Sequence, residues 1–158
     1  MEEKLTVYIA EIDAQWEEIQ KIYSSIEKKS GFLREDLGNE DLTNSLAYKI
    51  HNLYSAYEDL FKLTAHFFEN QINDFSGYHV SLLKRMKIVI EGMRPRFLSD
   101  ESFAILDELR GFRHVFRHAY GYALDAERVL LTAKKSLQLE ELFLKDFIQF
   151  REKLKKAT

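Results

Sequence analysis

One proline and six glycines are spread over 158 residues, and this scarcity of chain-turning residues constrains the fold more than any other feature. Strands and hairpins need turn residues at short intervals, so such a chain favours long helices joined by few connections. The apolar residues agree. From about Glu2 to Lys29, Leu5, Ile9, Ile12, Trp16, Ile19, Tyr23 and Ile26 recur at steps of three or four, which draws one stripe along a helix. Gly31 is read as its stop, with Lys28 and Lys29 near the negative end of the helix dipole. A second helix is expected from Asp41 or Thr43 to about Gln71, broadly apolar through Leu46, Ile50, Leu53, Tyr54, Tyr57, Leu60, Phe61, Thr64, Phe67 and Phe68. Residues 70–78 read as a loop.

A third helix is expected over His79–Met93, on Leu82, Leu83, Met86, Val89 and Ile90, with Pro95 beyond its end. Ser99 or Asp100 can cap a fourth, whose buried stripe is read as Ile105, Leu109, Phe112, Phe116 and Ala119, with Gly121 loosening or ending it. The last helix runs from about Asp125 through Val129, Leu130, Leu137, Phe143, Phe147 and Phe150, with an interruption expected around 134–138. No repeat or linker divides the chain. The expectation is one all-α domain over 1–158, an antiparallel bundle of about five helices.

Composition removes several function classes. Without cysteine there is neither a disulfide scaffold nor a thiolate metal site. The N-terminus lacks a signal-peptide pattern, and no apolar run approaches the roughly 20 residues that span a bilayer. The expectation is a soluble cytoplasmic protein, not a membrane one. Net charge is −3, so contact with nucleic acid has to be local. Of two basic clusters, Lys84, Arg85, Lys87, Arg94 and Arg96 read as a solvated face. The other is the run Arg110-Gly-Phe-Arg113-His114-Val-Phe-Arg117-His118-Ala-Tyr120-Gly-Tyr122.

That run suits RNA cleavage without a metal or cofactor. A neutral imidazole can take the proton from a 2′-hydroxyl as its oxygen attacks the neighbouring phosphorus, and a guanidinium can hold the charge that develops on the phosphoryl oxygens. Gly-rich phosphate loops, Gly-x-Ser-x-Gly elbows and Glu-x-x-His pairs are absent from the sequence. His114 and His118 at i, i+4 have no carboxylate nearby in sequence to complete a metal site. Chance alone supplies ~0.9 Arg–His pairs at this loose spacing. Requiring four intervening residues and a Tyr two beyond the His lowers that to roughly 0.01–0.02.

With that spacing, Arg113-x4-His118-x-Tyr120 resembles the motif of HepT-like HEPN toxins, which pair with MNT-type nucleotidyltransferase antitoxins. Leu46-Ala-Tyr-Lys-Ile-His51-Asn-Leu-Tyr54-x3-Glu58-x-Leu-Phe61 is similar to the family's second helix. His79-x2-Leu82-Leu83-x2-Met86 with Arg94-Pro95, and Leu124-Asp125-x2-Arg128, resemble the segments flanking the motif. The resemblance thus covers about Leu46 to Arg128. It implies a metal-independent RNase acting as a homodimer with a shared cleft, and higher hetero-oligomers with the antitoxin. It also implies that Arg113 and His118 are catalytic and that Tyr120 receives AMP from the antitoxin. His114 stands where many HEPN proteins carry a polar residue, often Asn.

On a straight helix Arg113 and His118 fall about 140° apart, on opposite edges of the polar face. One phosphate meets both only if the helix distorts or two copies come together. Blander readings stand beside these. Arg113 or Arg117 could pair with an acid on the next helix, and Arg117, His114 and Arg110 are supporting RNA contacts only. His51 reads as a core-edge histidine bonded to a carbonyl, while Tyr54, Tyr57 and Phe61 read as core rather than a base platform. The alternative function is a non-catalytic substrate-binding subunit of a two-component nucleotidyltransferase.

Overall fold

A computed structural model describes residues 2–69, 78–118 and 124–157, which form five helices: α1 (Glu2–Arg34), α2 (Glu40–Glu69), α3 (Tyr78–Met86), α4 (Asp100–Arg117) and α5 (Ala126–Lys156). Among the described residues there is no strand beyond an isolated bridge between Ile90 and Arg94, and no helix is long and apolar enough to cross a membrane. The all-α bundle expected from the periodicity is therefore present.

Cross-helix bonds give the directions. Tyr8 meets Thr64, Gln15 meets the Ala56 carbonyl and Lys29 meets Ser45, so α1 and α2 are antiparallel. Arg151 meets Asp13, which sets α5 against α1 in the same way. Ser99 meets Asp146 and Glu108 meets Lys135, so α4 runs against α5. α2 touches all four other helices. At the centre Phe143 of α5 lies against Trp16, Tyr57, Phe61 and Phe97 with ring centroids 4.9–6.2 Å apart, an aromatic hub shared by α1, α2, α5 and the α3–α4 connection.

Two expected helix extents change, each for a physical reason, while α2 starts within one residue of the expected Asp41. α1 does not stop at Gly31. An interior glycine costs a helix about 1 kcal/mol, but continuing one more turn buries Leu33 completely, a gain of roughly 1.5–3 kcal/mol. α5 is not interrupted at 134–138, because Ser136 occupies the stripe there, buried, with its hydroxyl on the Ala133 carbonyl at 2.7 Å. α2 starts one turn earlier than its apolar face, capped by Asn39, whose Oδ1 accepts from the Leu42 N–H at 3.1 Å.

The largest departure is α3, which ends at Met86 rather than Met93. Arg94 explains it. Its guanidinium donates to the Arg85 carbonyl at 2.8 Å and to the Ile88 and Pro95 carbonyls at 3.2 Å, and the first two are acceptors that a continuing helix would need. A tight turn follows, with Gly92 at φ 73 in the left-handed region that glycine adopts without strain. The Phe97 and Leu98 amides then bond the Met86 carbonyl. This route buries Phe97 and Leu98 and leaves Val89 exposed. It also corrects part of the reading of the first basic cluster as a solvated face: Lys84 and Arg96 are exposed as expected, but Arg94 is not. The Arg94 side chain is wholly buried and lies 3.5 Å from Glu69, which also pairs with Arg85.

α4 is capped as expected. The Ser99 Oγ accepts from the Ser102 N–H, while the Asp146 carboxylate of α5 accepts from both the Ser99 N–H and hydroxyl at 3.0 Å. Its buried stripe, however, is Ser102, Leu106 and Leu109. Ile105, Phe112 and Phe116 are only partly buried, and Ala119 and Gly121 lie outside the described residues.

Arg94 donates to three carbonyls and faces Glu69 at 3.5 Å, and removing one charged member of such a buried network costs about 3–5 kcal/mol. Arg94→Ala is expected to lose that much in a urea titration. Arg94→Lys should not restore it, since a single ammonium cannot serve a carboxylate and three carbonyls held in this spread geometry. Wild-type stability in either variant would refute the strut.

Candidate functional site

The residues singled out in the sequence lie on the last two turns of α4, where it crosses the first half of α2. Arg113 turns inward. Its Nη1 donates to Glu58 Oε1 at 2.8 Å, with the two side chains 18% and 5% exposed, and its guanidinium carbon lies 6.0 Å from the Tyr54 ring centroid. Burial, then the Glu58 charge, pushes the Tyr54 hydroxyl well above the usual range, and Arg110 and Arg113 only partly offset this. The blander reading of Arg113 is thus half realised: it does pair with an acid, but one on α2 rather than on the following helix.

Arg113 and Arg94 make an instructive pair. Each reaches a buried glutamate of α2, yet Arg94 is wrapped by three carbonyls and has no exposed side-chain surface. Arg113 keeps an exposed edge and has one hydrogen bond among the described residues, its Nε making none. A guanidinium has five donors, so Arg113 is anchored without being saturated.

His118 lies at the other extreme, exposed, as the C-cap of α4. Its Nδ1 is 2.8 Å from the His114 carbonyl. A carbonyl can only accept, so Nδ1 carries the proton and Nε2 is the lone-pair nitrogen of the neutral ring. The His114 and His118 rings lie 4.4 Å apart, while no hydrogen bond joins His118 to Arg113. Arg110 pairs with Asp107 one turn back at 3.0 Å; Arg117 is exposed and forms no ion pair among the described residues. Tyr120 lies outside the described residues. Among the described residues no cluster of three or more metal-ligating side chains occurs.

His51 of α2 completes the seam. Its ring packs 5.4 Å from Phe116, and its Nδ1 is buried with no hydrogen-bond partner. This corrects the expectation of a carbonyl-bonded histidine: the ring lies among the aromatic rings of Tyr48 and Phe116, and its buried Nδ1 reaches no acceptor. Burial first, then the positive charges of Arg113 and Arg117, lower the His51 pKa below its ordinary 6.5. Glu58 is the one participant that the chemical reading of the sequence passed over. The available signal was its spacing, since Tyr54 and Glu58 follow His51 at three and seven residues on one face of an otherwise apolar helix.

The class is that of an all-α bundle in which α4 is laid across α2. The chain belongs to the HepT-like family of HEPN-domain proteins, whose model matches residues 45–154, more than half of the chain. The match includes α5, beyond Arg128 where the sequence resemblance was drawn to end, and leaves out α1. No curated protein and no solved structure matches.

His51 gives a prediction with a definite sign. Between pH 6.5 and its lower folded-state pKa, the unfolded chain takes up a proton that the folded chain does not, so stability falls as the pH drops through that window. NMR titration of the imidazole should place its midpoint below 6.5, and His51→Gln should flatten that part of the stability profile. A midpoint at or above 6.5 would contradict the buried-ring geometry.

Proposed function

We propose that this chain is a metal-independent endoribonuclease toxin of the HepT type, active as a cytoplasmic homodimer. The observation that carries the reading is His118, with Nδ1 fixed on a carbonyl and Nε2 left as a base at the exposed end of the helix that holds Arg113. In this reading His118 Nε2 takes the proton from a 2′-hydroxyl. The 2′-oxygen bonds to phosphorus, the bond to the 5′-oxygen breaks, and that oxygen takes a proton from water while the His118 imidazolium returns its own to solvent, giving a 2′,3′-cyclic phosphate and a 5′-hydroxyl. Arg113 stabilises the phosphoryl oxygens, positioned by Glu58. Arg113 faces inward and His118 outward, so the reading includes a second copy whose α4 completes the cleft. Arg117, His114 and Arg110 are proposed as outer RNA contacts.

The reading extends to control. A cognate MNT nucleotidyltransferase transfers AMP to the Tyr120 hydroxyl, and the added phosphate and nucleoside occupy the space of the RNA phosphate.

RNA breakdown in EDTA tests the catalytic part. Wild type should leave cyclic-phosphate ends and spare a substrate with a single 2′-deoxy at the cut. His118→Ala should fall by 10²–10⁴-fold. Arg113→Lys, which keeps a cation beside Glu58 but loses the planar fork, should fall by on the order of 10²-fold. Equal activity in all three proteins would sink the proposal. Nucleotide binding without RNA loss would favour the substrate-binding-subunit alternative.

A further inference from the structure

The α2–α4 seam continues past Arg113 into an aromatic patch that the proposed reaction does not use. Tyr48 and His51, one turn apart on α2, and Phe116 on α4 bring their rings together, with centroids 6.5 Å apart for Tyr48–His51, 6.5 Å for Tyr48–Phe116 and 5.4 Å for His51–Phe116. Their exposures differ sharply from those of the aromatic residues further along α2. Tyr48 is 54% exposed, whereas Tyr54, Tyr57 and Phe61 are at most 1% exposed and cannot meet a ligand. Tyr48 is therefore an accessible ring backed by two others. Phe116 lies three residues, about 4.5 Å of helix rise, beyond Arg113, and Arg117 follows it directly.

His51 is fitted to back a π-face. Its buried Nδ1 has no acceptor in reach, so a proton there would be an unsatisfied donor, and the neutral ring with hydrogen on Nε2 is the cheaper state. An uncharged, flat ring beside Tyr48 leaves that tyrosine's face free of a competing cation. Charge adds a second argument. Net charge is −3, and Arg113 and Arg110 are each committed to a carboxylate. Phosphate contacts at Arg117 and at the unused donors of Arg113 can thus supply only part of the affinity for RNA, and base stacking, which every nucleobase permits, can supply the rest.

We propose that Tyr48 is a substrate-positioning residue, on which the base flanking the scissile phosphate of a single-stranded RNA stacks, with His51 and Phe116 holding the tyrosine ring. This rests on the ribonuclease reading above. It predicts preference for unpaired RNA and tolerance of base identity at that position.

The test uses the intact protein and a short RNA with one cleavable ribonucleotide in a 2′-deoxy background, which fixes the register, with and without an abasic site at each flanking position. Tyr48→Ala and Tyr48→Leu should raise KM by roughly 5- to 150-fold, with kcat within a few-fold and melting temperature unchanged, while Tyr48→Phe stays near wild type. Removing one flanking base should raise the wild-type KM comparably and erase the difference between wild type and Tyr48→Ala. Leu performing as well as Tyr, an unchanged KM for Ala, or persistence of the difference on abasic RNA would overturn the proposal. So would loss of activity that tracks a change in oligomeric mass by light scattering, which would make Tyr48 a protein contact. If the wild type cleaves no RNA, the ribonuclease reading falls and this proposal with it. Cleavage by wild type with an indifferent Tyr48 removes the stacking site alone.

Discussion

Everything in this bundle is arranged around the need to cover α2. Its thirteen buried positions run from Ala56 round to Glu58 across about 200° of the helix circumference, leaving only an outer strip, Tyr48 among it, open to solvent. A buried face this wide cannot be covered by one neighbour, and α1, α3, α4 and α5 each take a share of it. Polar groups on such a helix must then find partners within the cover. Thr64 is bonded by Tyr8 and Tyr57 by Tyr23, and Glu58 is met by Arg113. The position of the candidate arginine is thus set by the core helix it crosses as much as by its own.

The sequence displays what is local and periodic. Ser99 is visible as a cap because a cap needs only a side-chain oxygen and the amides of the next turn, and Asp125, read only as the start of the last helix, caps it in the same way. The stripes of α1 and α5 are likewise legible, once Leu33 and Ser136 are counted as stripe positions. The end of α3 is not legible, because it is decided by a side chain nine residues downstream that takes helix carbonyls for itself. The apolar pattern of Val89 and Ile90 looks helical, and nothing periodic signals that Phe97 and Leu98 will displace them. At the site, His118 and Arg113 stand out by spacing. Glu58 is 55 residues away from Arg113, and its role depends on which helix faces which. Tyr54 falls on the apolar stripe of its helix and Tyr48 off it, but only the crossing of α4 brings Phe116 beside Tyr48.

The two buried arginine–glutamate pairs show how one chemistry serves two ends. Isolated, a buried pair is weak evidence for stability, because desolvation offsets much of the attraction. Arg94 is compensated by carbonyls on every side, and the pair becomes a fixed part of the chain reversal between α3 and α4. Arg113 is compensated by one carboxylate and a π-face, and its remaining donors are oriented rather than used. Catalysis by charge stabilisation asks for this combination, a cation fixed before the substrate arrives yet still able to form bonds.

α4 is also held unequally along its length. Its first turn is tied to α5 through Ser99 and Asp146 and sits over buried Ser102, Leu106 and Leu109, whereas Phe112 and Phe116 are half covered and His118 is open to solvent. Local opening free energy follows buried contact and shielded backbone, so amide exchange should grow steadily faster from Leu106 toward His118 within a single continuous helix. The helix resembles a cantilever in its burial, clamped where it joins the core and least covered at its tip. Its last turn can adjust to whatever docks there while the rest of the bundle keeps its packing.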